Sequence, residues 1–182
     1  EKYSIEVLLQ ESNLFILWYM QRHMKVEIDD ASIKDFSKIL ENIFEKILPI
    51  ENTLVLRDYH VDNLFYLNER NYVQSVGIID FQDALCGSTS YDLISILEDV
   101  RRPISSELKK EMINYYIEEV AENREQIFLE TEFFSIQRNL KILGIFCRLN
   151  YRDNKNHYLS MLPRSLEFIQ KHIKKEPYSE LN

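Results

Sequence analysis

An apolar run that ends abruptly in polar and charged residues constrains this chain more than any other stretch. Residues 53–56 are β-branched or aliphatic and predict a short strand, and residues 57–63 then read R-D-Y-H-V-D-N. A second apolar run, 76–79, also ends in a carboxylate, because Asp80 follows it 22 residues after Asp58. Two strands that each end in acidic or amide side chains predict a polar site between their ends.

The spacing R-D-x-x-x-x-N, followed by I-D-F, is typical of the catalytic and metal-binding loops of the kinase superfamily. Phosphoryl transfer needs a carboxylate that holds the acceptor hydroxyl in line, and Mg²⁺ prefers hard oxygen ligands. Asp58 would be that base, and Asn63 and Asp80 would supply an amide and a carboxylate oxygen to Mg²⁺. Each aspartate alone could simply close a turn. Their combination with Asn63 at this spacing favours the catalytic interpretation.

Three further residues belong to the predicted site. Arg57 precedes the base, and His60 follows it by two residues, where it would pack in the loop, orient it or contact the acceptor. Asp92, at the start of a later predicted helix, has two interpretations. It is either an ordinary first-turn acid favoured by the helix dipole or an acceptor that holds the backbone of the Asp58 loop, and the residues alone leave both open.

Hydrophobic periodicity predicts a mostly helical α+β fold whose few strands lie in the middle of the chain. The second helix would begin with a loose capping box at 32–35 and end before Pro49. We expect helices over residues 2–23, 32–48, 91–100, 105–120, 127–149 and 158–173.

The predicted strands cover 53–56, 64–67 and 72–79, and the small, polar segment 84–90 is expected to be a loop. A turn at 68–71 would join the last two strands in a hairpin. That hairpin would fold the loop bearing Asp58 and Asn63 back beside Asp80.

The predicted helix 133–152 carries basic residues on an otherwise apolar surface. They recur at three-, four- and seven-residue steps and therefore share a face. We call them the cationic stripe: Arg138, Lys141, Arg148 and Arg152. The simpler interpretation, which we prefer, pairs the stripe with Glu118, Glu119 or Glu122 on a neighbouring helix. The alternative is that the stripe lines a substrate cleft, which would suit an anionic acceptor or product.

Composition excludes several classes of protein. A length of 182 residues with 45% hydrophobic side chains predicts one packed domain, 1–182, rather than a disordered chain. The formal charge of −8 argues against a nucleic-acid partner, and the longest apolar run, 14–20, is too short to span a bilayer. Two cysteines without a CxxC partner favour a reducing, cytoplasmic setting. The three glycines are not spaced as a phosphate-binding loop requires.

Several blocks of the sequence, in order along the chain, resemble one family. The blocks are 56–64, 80–84, 91–93, 98–102 and 137–146. They resemble the aminoglycoside-phosphotransferase-like kinases, and within them most closely the anomeric kinases that phosphorylate N-acetylmuramate and N-acetylglucosamine in bacterial cell-wall recycling. Leu56 and Arg57 stand where the broader family usually has His and Gly, which favours the sugar-kinase branch.

The resemblance implies the C-terminal lobe of a protein-kinase-like fold, with ATP as phosphoryl donor, Mg²⁺ as cofactor and an amino sugar as acceptor. It assigns Asp58 as base, Asn63 and Asp80 as metal ligands and Asp92 as support for the loop. The β-rich ATP lobe of such kinases would precede Glu1, so we expect it to be attached or supplied in trans. Two alternatives are a remnant that binds without turnover and, more weakly, a metal-dependent hydrolase that uses both aspartates.

Overall fold

Helices make up most of the computed structural model, which describes residues 1–47, 53–120 and 124–181. The first predicted helix is continuous, but its second half is π-helical. The helical elements are α1 (Ile5–Leu14) with its π-helical continuation (Phe15–His23), α2 (Asp30–Ile47), α3 (Thr89–Leu97), α4 (Ser106–Val120), α5 (Arg124–Asp153) and α6 (Leu162–His172). The prediction of a mostly helical α+β fold is confirmed.

Four strands of three residues each form two separate antiparallel sheets. They are β1 (Thr53–Val55), β2 (Leu64–Tyr66), β3 (Val76–Ile78) and β4 (Leu85–Gly87). Strand β2 pairs with β3, with Leu64 opposite Ile78, so the predicted hairpin is confirmed. Strand β3 is shorter than predicted because 72–75 form a 3-10 turn.

Strand β1 pairs with β4, and Val55 lies opposite Leu85. The prediction that 84–90 form a loop is therefore wrong over three residues. A strand this short inside a small, polar segment has no detectable two-residue alternation. The pairing matters for the site, because it anchors the chain immediately before the loop that carries Asp58.

Helix α5 is the centre of the fold. Every residue from 133 to 144 is buried, and the helix packs against α1, the π-helical segment, α3 and α6. Its Phe133 and Phe134 contact Phe44 of α2 and Tyr91 of α3 through their rings. A helix covered on all sides is typical of the middle of a helical assembly.

Two predicted helix starts need correction. The α2 helix begins at Asp30, and Asp29 caps it by accepting a hydrogen bond from the Ser32 backbone N–H (2.8 Å), so Ser32 is not the cap. Residues 156–161 are 3-10 helix and α6 starts only at Leu162, with a proline in its first turn, where its missing N–H costs nothing. The predicted end of α2 at 48–49 lies outside the described residues. In the described part of the chain, none of the helices combines the length and apolar character that crossing a membrane requires.

Gly144 allows α5 to approach α1 closely. A Cβ atom at this position would lie 2.3 Å from the backbone carbon of Leu14 and 2.5 Å from its Cβ. The obstructing atoms belong to the backbone as well as the side chain, so they cannot rotate away. The two helices would have to separate.

We therefore expect Gly144→Ala to lower the free energy of unfolding by about 2–3 kcal/mol, as overpacking of a well-packed core does. Urea unfolding followed by circular dichroism measures this change. Gly77→Ala is the matched control, because its added Cβ would meet its nearest neighbour at an ordinary 3.4 Å. Equal stability of the two variants would contradict the close approach of α1 and α5.

Candidate active site

The backbone of the Asp58 loop is held at its start by the carboxylate of Asp92, in the first turn of α3. One oxygen accepts a hydrogen bond from the Leu56 N–H (2.7 Å) and the other from the Arg57 N–H (3.1 Å). Of the two interpretations of Asp92, the geometry therefore matches the one in which it holds the loop. Burial raises the pKa of Asp92, and the two backbone donors only partly offset that effect.

A second buried carboxylate holds the loop further on. Asp99, just after α3, accepts from the N–H of Val61 (3.0 Å) and from the N–H of Arg101 (3.0 Å). Burial raises the pKa of Asp99, but these hydrogen bonds and the Arg101 charge outweigh burial, and the net pKa is lowered. Asp99 was given no role from the sequence. It lies in the block 98–102, where two acidic residues follow an otherwise apolar predicted helix.

The neighbour of Asp99 connects the loop to the core. Glu98 is fully buried and accepts hydrogen bonds from Ser135 Oγ (2.6 Å) and Asn139 Nδ2 (3.1 Å), both on α5. It also forms an ion pair with Lys109 of α4. The end of α3 is thus fixed against two helices, and Asp99 is fixed with it.

The structure brings Asn63 and Asp80 to the same end of the β2–β3 hairpin. The Ile79 N–H donates to the Asn63 carbonyl (3.1 Å), so Asp80 directly follows the residue that pairs with Asn63. Asn63 Nδ2 donates to the Asp58 carbonyl (2.8 Å), which leaves Oδ1 as the amide atom open to another partner. Asp80 has a positive φ of 63° and is exposed. Asp58, Asn63 and Asp80 therefore lie at one polar end of the hairpin, as predicted.

The oxygen ligands at this end of the hairpin suit Mg²⁺ better than a metal that is bound by three or more protein side chains. The described ranges contain no group of three or more His, Cys, Asp or Glu side chains arranged to hold a metal. Asn63 and Asp80 instead offer one amide and one carboxylate oxygen. Mg²⁺ is commonly bound by one or two carboxylates, with water and substrate phosphates completing its shell.

Arg57 is directed toward α1. Its Nη2 lies 2.5 Å from Glu11 Oε1, and its Nη1 donates to the Asp83 carbonyl (3.3 Å). Like Asp80, it has a left-handed backbone conformation, with φ of 68°. The structure therefore places Arg57 as a residue that positions the loop.

Glu11 is the centre of a buried charge network that the sequence analysis missed. Lys141 Nζ lies 2.8 Å from the same Oε1 atom that Arg57 contacts, and the Tyr3 hydroxyl donates to Oε2. Burial raises the pKa of Glu11, but Lys141 and the other donors outweigh burial, and the net pKa is lowered. The position of Glu11 in an apolar helix does not predict that Arg57 and Lys141 will both form ion pairs with it.

A cleft of about 80 Å³ opens beside the base. Asp58 and His60 line one side, and Arg138, Lys141 and Ile145 of α5 line another. His60 is half-buried, and burial together with the nearby Arg101 lowers its pKa, so the ring is neutral at pH 7.

Two residues of the cationic stripe, Arg138 and Lys141, line the cleft, as in the alternative interpretation of the stripe. In the described parts of the chain, neither Glu118 nor Glu119 pairs with the stripe, whose ion pairs are Lys141 with Glu11 and Arg152 with Asp153. The preferred interpretation, pairing with those acids, is therefore wrong for the residues that can be described. Glu122 lies outside them.

The sequence matches known proteins over most of its length. Residues 2–127 match the Phosphotransferase enzyme family. The chain is 31% identical to an N-acetylmuramate/N-acetylglucosamine kinase of Neisseria meningitidis, over 99% of this chain and 54% of the relative. It is 29% identical to the kinase of that name from Pseudomonas aeruginosa (96% and 52%) and 33% identical to that from Caulobacter vibrioides (84% and 42%). The chain thus spans about half the length of the curated relatives it matches.

We expect Glu11→Gln to lower the free energy of unfolding by about 3 kcal/mol at pH 7, because it leaves the buried Lys141 and the half-buried Arg57 without their carboxylate. Since the folded-state pKa of Glu11 is lowered, its stabilising contribution is present above the unfolded-state value near 4.5 and is lost as the pH falls through the folded-state pKa. The difference between wild type and variant should shrink in that range. Urea unfolding at several pH values measures it.

Glu6→Gln, on the exposed side of the same helix, serves as the control. Hydrogen bonds from Ser4 and the backbone also lower the pKa of Glu6, but the side chain is exposed, so this substitution should change stability much less than Glu11→Gln. A difference between wild type and Glu11→Gln that stays constant from pH 7 to pH 3 would show that the charge of Glu11 is not what stabilises the network.

Proposed function

This chain belongs to the phosphotransferase enzyme family, and from that premise we propose that it forms the acceptor- and metal-binding half of an ATP-dependent amino-sugar kinase. The observation that carries the proposal is the clamped loop. Two carboxylates, the half-buried Asp92 and the buried Asp99, fix the backbone on either side of Asp58. Precise placement of a general base is what in-line phosphoryl transfer requires of the protein.

Asp58 would accept the proton of the sugar hydroxyl as that hydroxyl attacks the γ-phosphate. Its carboxylate is exposed, lines the cleft and forms no ion pair with any cation of the described residues. The backbone N–H of Asp58 bonds to the Leu56 carbonyl (2.8 Å) and its carbonyl accepts from Asn63, so the carboxylate is the one polar part free to meet a substrate. His60 would contact the acceptor from the same loop.

Asn63 and Asp80 would hold Mg²⁺ at the end of the hairpin. The metal would bind phosphate oxygens and offset the negative charge of the nucleotide. The protein's own contribution is orientation. The hydrogen bond from Asn63 Nδ2 to the Asp58 carbonyl links the metal-binding amide to the base, so the two move together.

The acceptor class comes from the relatives, which are named as kinases of N-acetylmuramate and N-acetylglucosamine. We propose an N-acetyl amino sugar for this protein and place the reaction in the cytoplasm, where ATP is available. We propose that an ATP lobe completes the nucleotide site. That lobe would be attached to these residues or supplied in trans.

Phosphorus NMR of the full-length protein with Mg-ATP and each of the two sugars tests the function directly. We expect a sugar phosphate in the wild type and a loss of about 10²- to 10⁴-fold in kcat for Asp58→Asn, the range over which general-base catalysis acts. Glu69→Gln, in the turn of the hairpin, is the control and should retain activity.

Activity that survives Asp58→Asn would contradict the assignment of the base. Sugar binding without turnover in the wild type would instead support a binding module that has lost catalysis.

A second expectation concerns the metal. Asp80→Asn should raise the Mg²⁺ concentration for half-maximal activity by about tenfold or more, ~1.4 kcal/mol, because it replaces a carboxylate ligand with a neutral one. Electron paramagnetic resonance of Mn²⁺ bound with ATP gives a readout that does not depend on turnover. Asp83→Asn, an exposed acid three residues away, should leave metal affinity as in the wild type. Equal effects of the two substitutions would rule out Asp80 as the ligand.

A further inference from the structure

Arg138 carries a buried charge that forms no ion pair with the described residues, although it acts on the carboxylate of Asp92 through its charge. The residue is 4% exposed, and its Nη1 atom is buried without a hydrogen-bond partner. It lies on α5, where it lines the same cleft as Asp58. A buried charge without a partner is costly, so a fold that keeps one at its catalytic end calls for an explanation.

The other cations of the cleft are already paired. Arg57 and Lys141 share Glu11. Arg101 forms ion pairs with Asp99 (3.2 Å) and Asp62 (3.0 Å). Among the described residues, no carboxylate lies within ion-pair distance of Arg138, so of the four cations that line the cleft it is the one without an ion pair.

A second unmatched donor lines the cleft. His60 Nδ1 is buried without a partner, and His60 Nε2 lies 3.5 Å from Asn63 Nδ2. Because the amide nitrogen is a donor, it can bond only to an imidazole nitrogen that accepts, which puts the ring proton on Nδ1. Arg138 Nη1 and His60 Nδ1 therefore both present N–H groups without an acceptor.

We propose that this cleft binds an anionic oxygen group of the substrate, with Arg138 as the anchoring cation and His60 as a second donor. The inference deepens the proposed function and rests on it. A cleft of about 80 Å³ has room for a carboxylate or a phosphate group. The group is either a carboxylate of the acceptor or the phosphate being transferred, and both bind guanidinium in the same way.

The test uses the full-length protein and isothermal titration calorimetry with three probes: N-acetylmuramate, which carries a carboxylate, N-acetylglucosamine, which does not, and inorganic phosphate. We expect Arg138→Met to weaken binding of at least one anionic probe by about tenfold or more. Binding of the neutral sugar should change less than about threefold, and Arg138→Lys should recover part of the loss.

Arg148→Met is the matched control. Arg148 lies on the same helix and has an unpartnered buried Nε atom, but it does not line the cleft. It should leave the affinity for all three probes unchanged. In the absence of ligand, Arg138→Met should also melt at or above the wild-type temperature, because it removes an unpaired buried charge.

A loss confined to N-acetylmuramate identifies the acceptor carboxylate as the bound group, and a loss of phosphate binding, with kcat lowered equally for both sugars, identifies the transferred phosphate. If the wild type phosphorylates neither sugar but binds phosphate in an Arg138-dependent way, the proposed function fails and the anion site stands. If no anionic probe binds in an Arg138-dependent way, or if Arg138→Met only lowers the melting temperature, the inference is overturned.

Discussion

The candidate site depends on two side-chain carboxylates that accept hydrogen bonds from loop backbone. Asp92 accepts hydrogen bonds from the N–H groups of Leu56 and Arg57, and Asp99 accepts one from the N–H of Val61. The loop has few backbone hydrogen bonds of its own. Arg57 has a left-handed backbone conformation, and the strand before the loop is only three residues long. Without these carboxylates, its N–H groups would bond to water in many conformations, and Asp58 would have no defined position.

Asp92 in α3 and Asp99 just after it can hold the loop because this segment packs against the core of the fold. Glu98 bonds to Ser135 and Asn139 of α5, and the Tyr91 ring packs edge-on against Tyr3 and Phe134. These contacts connect the most buried helix of the fold to α3, and α3 to the loop. Hydrogen bonds between buried groups are strong in a low-dielectric interior, which suits a site that must hold a base within fractions of an ångström.

The sequence predicted the parts of this arrangement that are local. The β2–β3 hairpin, the approach of Asn63 to Asp80, and the class of fold follow from short-range periodicity and from a spaced motif. Asp92 was found as a candidate because it begins a helix. What the sequence could not supply were side-chain pairs between distant elements, such as Glu11 with Arg57 and Lys141, or Glu98 with Asn139. A hydrogen bond between distant elements does not change the hydrophobic periodicity of the sequence. A three-residue strand such as β4 is too short for its periodicity to be detected.

The sharing of Glu11 by two basic residues has a consequence for how this chain can vary. Helix α1, the Asp58 loop and α5 each contribute one member. A neutral replacement at 57 or 141 leaves one cation paired with Glu11, whereas a neutral replacement at 11 leaves two cations without a carboxylate. Of these three positions, which lie 46 and 84 residues apart along the chain, position 11 is therefore the one least able to accept a neutral residue.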